Sequence, residues 1–199
     1  MNKILRAFLA TVIFIVVLLL TYYIHMRYLQ VNVVFYASIL DAFIAMAVVT
    51  GGLALLRWFR DFSRLEFLQL LLIWMLGGYV FAISVPTVID RSLSFYILEK
   101  LQQRGGGIRE DAFKQIFTDE YVREYHLVDV RLTEQLESGT IEIHDGCVRL
   151  TERGERLASF SGFYRRNLLP THRLLMGKYT DALVDPFRDS QMSSDYRCQ

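Results

Sequence analysis

The sequence predicts a mostly α fold, a three-helix transmembrane block followed by a small α+β domain, and three observations carry that prediction. Charge is segregated: six basic and three acidic residues precede Asp90, whereas 16 basic and 17 acidic residues lie from Arg91 onward. Three long apolar stretches follow one another in the first part. The second part changes to short amphipathic periods and one tight hairpin. Chain averages of 22 % charged and 53 % hydrophobic hide this division.

The first span is expected at about residues 7–24. It holds no charge and reaches about 27 Å at 1.5 Å per residue, close to the hydrocarbon thickness. Lys3 and Arg6 precede it, and Tyr22, Tyr23, His25 and Tyr28 stand where an interfacial aromatic belt belongs. A secretory signal peptide is the competing reading. The long apolar run, the lack of a small-x-small cleavage site and the further spans disfavour it. The second span, at about 33–56, is interrupted by Asp41, and the third, at about 67–89, carries no charge. Between these two lies a polar turn with Arg57, Trp58, Arg60, Asp61, Arg64 and Glu66.

Orientation is balanced by charge. Lys3, Arg6, Arg57, Arg60 and Arg64 fall on one side, and Arg27, Arg91, Lys100, Arg104 and Arg109 on the other, five against five. The expectation leans toward a cytoplasmic soluble domain on a bacterial inner membrane, because the basic tail suits an anionic leaflet.

Asp41 is read as the one ionisable group inside the spans, and burying a carboxylate there demands a partner or a polar cavity. Ala37, Asp41, Ala45, Val48 and Gly52 share a helix face of mostly small residues, which suits close helix packing. Two readings stand: an ion- or proton-linked site or subunit contact, or a protonated Asp41 hydrogen-bonded to a neighbouring helix. The second is favoured, since no other intramembrane charge is evident to make a relay.

The soluble domain is expected over 90–163. Leu93, Tyr96, Ile97, Leu98 and Leu101 repeat with helical spacing up to the break at Gly105, Gly106 and Gly107. Residues 108–117 read as a second short helix. Val128, Leu132 and Leu136 stripe a third, which stops at Ser138 and Gly139. Residues 140–143 and 147–150 alternate as strands around an Asp145-Gly146 turn. Thr151 is the expected N-cap of a last helix.

That order, with Arg131-Leu132, Gln135-Leu136, Ser138-Gly139, Ile141, Asp145-Gly146, Leu150-Thr151 and Gly154, resembles the third helix and wing of MarR-like winged-helix domains. The resemblance covers about residues 91–158, is specific to fold alone, and implies either DNA reading or protein docking. Arg131, Gln135, Arg149 and Arg153 are the residues it puts forward for DNA or partner contact. Residues 91–163 hold 10 basic and 13 acidic side chains, which opposes phosphate binding. Docking of a protein is therefore favoured over nucleic acid.

No active site assembles from the sequence. The glycine run follows no strand and precedes no Lys-Ser or Lys-Thr pair, so it reads as a turn. His25, His126, His144 and His172 show no ligand spacing with Cys, Asp or Glu, so no metal or cofactor is expected. Ser159 and Ser161 make no nucleophile elbow. Asp119 and Glu120 read as solvated loop carboxylates. Cys147 and Cys198 stand far apart in no metal or redox spacing.

The remainder, 164–199, is expected to be a basic, apolar juxtamembrane segment and a polar tail. Arg165, Arg166, Arg173 and Lys178 could touch headgroups while Leu and Met insert, or a helix there could pack back on the domain. Residues 189–199 read as disordered. The expected function is a non-enzymatic multi-pass protein, in the bilayer with a membrane-protein partner or as a homo-oligomer. A membrane-tethered transcription regulator is the alternative, and a small membrane enzyme or transport subunit using Asp41 the second.

Overall fold

The computed structural model describes residues 2–188 and 198. The tail expected to be disordered lies, apart from Cys198, outside the described residues. The chain forms two compact units, residues 1–127 and 128–199. Their boundary falls inside the stretch that sequence reading treats as one domain.

In the first unit three helices are long and apolar enough to cross a membrane. Helix α1 is Lys3–Tyr28, with the Asn2 side chain accepting from the Ile4 N–H at 3.3 Å. Helix α2 is Val34–Leu55. Helix α3, Arg64–Ala82, opens on a capping box: Ser63 Oγ accepts from the Glu66 N–H at 3.2 Å, and the Ser63 N–H donates to Glu66 Oε2 at 2.6 Å. It continues through a π-helical turn, Ile83–Thr87, into α4, Val88–Arg91. Pro86 sits in that turn and has no N–H to give, so the hydrogen-bond ladder widens there without stopping the helix.

These helices pack by shape and by a few polar ties. Phe14 of α1 stacks on Trp74 of α3, with ring centroids 5.1 Å apart and planes 1° from parallel. The Trp74 indole N–H donates to Thr11 Oγ1 at 3.0 Å, which keeps a polar tip satisfied in an apolar core. The start of α1 is tied to the α2–α3 turn by Arg6 to Asp61 at 2.7 Å, Lys3 to Glu66 at 3.2 Å, and the Trp58 indole to the Arg6 carbonyl at 3.1 Å. Most large side chains facing away from this core are apolar, as a lipid-facing surface requires.

Helix α5, Leu93–Gln103, starts at Ser92, whose hydroxyl accepts from the Ser94 N–H, and stops at the glycine run, where Gly105 and Gly106 take φ of +83° and +96°. The next short helix is longer and less regular than the sequence indicates. A 3₁₀ turn Glu110–Ala112, α6 Phe113–Gln115, a π turn Ile116–Tyr121 and α7 Val122–Glu124 follow in succession. Tyr96, Ile116 and Tyr121 form the small core beneath.

The second unit begins with α8, Leu127–Glu137, followed by the hairpin of β1, Ile141–His144, and β2, Cys147–Leu150. The strands pair antiparallel with Ile141 opposite Leu150 and His144 opposite Cys147. Asp145 and Gly146 both take positive φ, +51° and +75°, the geometry of the two-residue turn their sequence announces. Helix α9 is Glu152–Leu168, capped by Thr151.

A second hairpin, β3 Arg173–Leu175 and β4 Lys178–Thr180, was not anticipated. Residues 163–176 are thus not one amphipathic segment. Pro170 follows the end of α9, and Met176 and Gly177, with φ of +46° and +83°, turn the chain back. Cys147 and Cys198, 51 positions apart, are joined as a disulfide with Cα atoms 5.8 Å apart. Their wide spacing gave no sign of this pairing.

Candidate functional site

The membrane block contains one polar centre. Asp41 lies seven residues into α2 and is wholly buried, and His25 lies three residues from the end of α1. Packing of α1 against α2 brings His25 Nδ1 to 2.6 Å from Asp41 Oδ1. A lone carboxylate at mid-bilayer would cost about 2.5–3.5 kcal/mol, so this neighbour accounts for its presence. Ser38, also fully buried, turns its hydroxyl back to the Val34 carbonyl at 2.7 Å. Asp41 Oδ2 is buried and meets no hydrogen-bond partner among the described residues.

The structure gives Asp41 a hydrogen-bond partner on the neighbouring helix α1, His25, which sequence reading did not single out. Sequence reading assigns His25 to an interfacial aromatic belt and finds no ligand spacing between it and any Cys, Asp or Glu. The helix periods put it on the face that meets α2, yet no spacing rule links positions on two different helices.

The packing face around Asp41 needs a correction. Asp41 and Ala45 are buried and Ala37 is half-buried, but Val48 and Gly52 face outward, and a Cβ on Gly52 would meet nothing within 4 Å. The buried arc instead runs through Ser38, Asp41, Ala42, Ala45, Val49 and Leu53, because α2 is gripped from two sides, by α1 and by α3. The small-residue contact is elsewhere: a Cβ on Gly78 of α3 would stand 2.5 Å from the Ala42 Cβ. Small size marks positions that permit close approach, and the neighbour's placement selects which are used.

Outside the spans, a second charged cluster ties α5 to the helical turns after it. Lys100 is 4 % exposed, with Nζ 2.8 Å from Glu120 and 2.8 Å from Glu124. Arg104 reaches Glu120 at 3.0 Å, and the Tyr96 hydroxyl donates to Glu124 at 3.2 Å. Hydrogen bonds to Glu120 and Glu124 push the Lys100 ammonium well above its ordinary value. Hydrogen bonding from Lys100 holds both carboxyls below theirs. Glu120 is therefore not the solvated loop carboxylate of the sequence reading. Lys100 holds both acids toward the ionised form, with Arg104 also on Glu120 and the Tyr96 hydroxyl on Glu124, which suits a structural clamp and not a general base.

In the second unit a set of hydrogen bonds centred on Thr151 forms a polar clamp. The Thr151 hydroxyl donates to the Gly139 carbonyl at 2.8 Å and accepts from the Gly154 N–H at 3.1 Å, while the Thr151 N–H donates to the Thr140 carbonyl at 3.1 Å. A Cβ on Gly154 would overlap the Thr140 carbonyl oxygen. The Ser138-Gly139, Leu150-Thr151 and Gly154 pattern thus has a local physical purpose, closing the hairpin onto the start of α9.

The residues put forward for DNA or partner contact are only partly available. Arg131 is bound to Glu134 at 2.7 Å, and the Gln135 side-chain oxygen accepts from the Thr140 hydroxyl. Arg149 on β2 and Arg153 on α9 are exposed. Arg165 and Arg166 lie in the last turn of α9, where cations suit the helix dipole, and Arg173 and Lys178 lie on the second hairpin. Among the described residues no group of His, Cys, Asp and Glu could hold a metal ion.

The apolar surface of this unit was not foreseen. No large apolar side chain in the described part of 128–199 is buried. On α9, Leu157, Phe160, Tyr164 and Leu168 are 50 %, 61 %, 43 % and 60 % exposed. Their steps of three, four and four place them on one face. Comparison of this chain with protein-family models, curated proteins and solved structures finds no match.

Proposed function

We propose that this chain is a multi-pass membrane protein whose water-exposed part docks a protein partner, as an accessory or scaffold subunit of a membrane complex. The uncovered apolar stripe of α9 carries the reading. A unit of this size ordinarily closes a core of its own, whereas this one is held by a polar clamp and leaves its large side chains in water. Each stripe residue is about half exposed, so covering it would contribute roughly 1 kcal/mol. A partner helix or groove that reads positions spaced by three and four fits such a stripe. The winged-helix resemblance belongs to the same reading, as a docking module with an acidic face.

The test is affinity purification of the full chain at native expression in mild detergent, beside a Phe160→Asp, Leu168→Asp variant. The wild-type chain is expected to bring down a stoichiometric partner that the variant loses. Recovery of the wild-type chain alone would reject the proposal.

Exposure of Arg149 and Arg153 supports the second reading, a membrane-tethered transcription regulator. The intramolecular engagement of Arg131 and Gln135 weighs against it. Absence of a gel shift with the detergent-solubilised full chain at low salt would remove it.

A further inference from the structure

The disulfide and the placement of the helix ends bear on the same question, the face of the membrane on which the soluble part lies. A bond between two cysteines persists in oxidising compartments and is kept reduced in the cytosol. Cys147 on β2 and Cys198 near the end of the chain are so joined. Both follow the third candidate span, Arg64–Arg91.

The helix ends refine the even charge count. The α2–α3 connection carries Arg57 and Arg60, with Arg64 opening the next helix, and Lys3 and Arg6 are tied to that same end. The opposite end has Arg27 in the last turn of α1 and Arg91 in the last turn of α4, and its short connection, residues 29–33, contains no Lys or Arg, which leaves five basic residues against two at the helix ends. Basic residues in short connections set orientation, whereas those in folded domains further along weigh little. This criterion places the 57–64 turn in the cytoplasm and the chain after Arg91 across the bilayer from it.

We propose that Cys147 and Cys198 are oxidised to a disulfide in the working protein, and that the chain following the third span occupies the oxidising face of the membrane. The bond forms by exchange with a protein disulfide oxidant. The Cys147 thiolate attacks the oxidant's disulfide and releases one of its thiolates, giving a mixed disulfide. The Cys198 thiolate then attacks Cys147 Sγ and releases the second. Two cysteine thiols lose two protons and two electrons, and the oxidant's disulfide becomes two thiols. The partner docked on α9 would then be met on that face, out of reach of DNA.

Two measurements on the full chain decide it. Cells are quenched in acid, and thiols are then tagged with a maleimide-polyethylene glycol before or after reduction with dithiothreitol. Separately, alkaline phosphatase, active only where its own disulfides form, is fused after residue 199. The wild-type monomer is expected to take no tag before reduction and two after it. Cys147→Ser and Cys198→Ser should each take one tag without reduction, and the fusion should be active. Two tags on the unreduced wild-type chain, a disulfide-linked dimer, or an inactive fusion made at normal level would each overturn the proposal.

Discussion

The membrane block and the 128–199 unit are built on opposite principles. In the block the outward surface is apolar and polar side chains lie inside: Asp41 and Ser38 are fully buried. Among the described residues of the second unit the buried ones are polar or small, Thr140 and Gly154, and the large apolar side chains are half-buried or exposed, with Leu157, Phe160, Tyr164 and Leu168 facing out along α9. Lipid explains the first inversion, because a bilayer rewards exposed Leu and Ile and penalises an unpaired carboxylate. Water does not explain the second, and this contrast is what motivates the proposed partner on α9. A fold can rest on hydrogen bonds and a cross-link where its apolar surface is kept for something else.

The comparison is most easily broken at Gly154. Gly154→Val forces a side chain against the Thr140 carbonyl and should cost about 3 kcal/mol. Limited proteolysis should then open 128–199 while the spans stay protected. Unchanged protection of 128–199 would mean that the clamp does not hold the unit. Gly78→Leu should cost the block about 2 kcal/mol by driving α3 from α2 at Ala42, read as a lowered unfolding midpoint in detergent.

Separating His25 from Asp41 is expected to matter less, about 1 kcal/mol for Asp41→Leu or His25→Leu, since a released polar group finds other partners in a membrane protein. A double-mutant cycle that returns no coupling would show that the contact is incidental.

The Lys100 clamp gives a smaller effect confined to acid. Glu120 and Glu124 titrate below their ordinary value of 4.5, so their contribution is full above that pH and disappears as pH falls through the lowered values. Lys100, raised above 10.5, keeps its contribution through neutral and mildly basic pH. Hydrogen-exchange protection over residues 93–125, taken relative to the intrinsic rate at each pH, should be flat from neutral to mildly basic pH and fall in acid. Lys100→Met should remove that fall. Smallest of all, Gly52→Leu should change stability by less than about 0.5 kcal/mol, because nothing stands near its Cβ.

Much of the architecture was legible. The three spans, the stop at Gly105, the Asp145-Gly146 turn and the Thr151 cap are local features. Each rests on a run of apolar residues, a backbone angle only certain residues adopt, or a side chain reaching a few positions along its own chain. The candidate site was half legible. Asp41 announced itself because a carboxylate is conspicuous among apolar residues, but His25 did not, since a histidine near a helix end has a bland explanation. The second hairpin was obscured by the leucine pairs of 168–169 and 174–175, which suit helix and strand alike.

The sequence by itself determined where the three long apolar helices lie, that they are apolar enough to cross a bilayer, and where α5 and α8 stop. Tertiary structure alone decided which face of α2 is buried, that Gly78 and not Gly52 is the close contact, that His25 meets Asp41, that Lys100 gathers Glu120 and Glu124, and that Cys147 finds Cys198. The reason is physical. Periodicity, capping and turn geometry act within one or two turns of chain. Pairings between side chains far apart in sequence depend on how neighbouring elements are rotated, and that is fixed only when they pack.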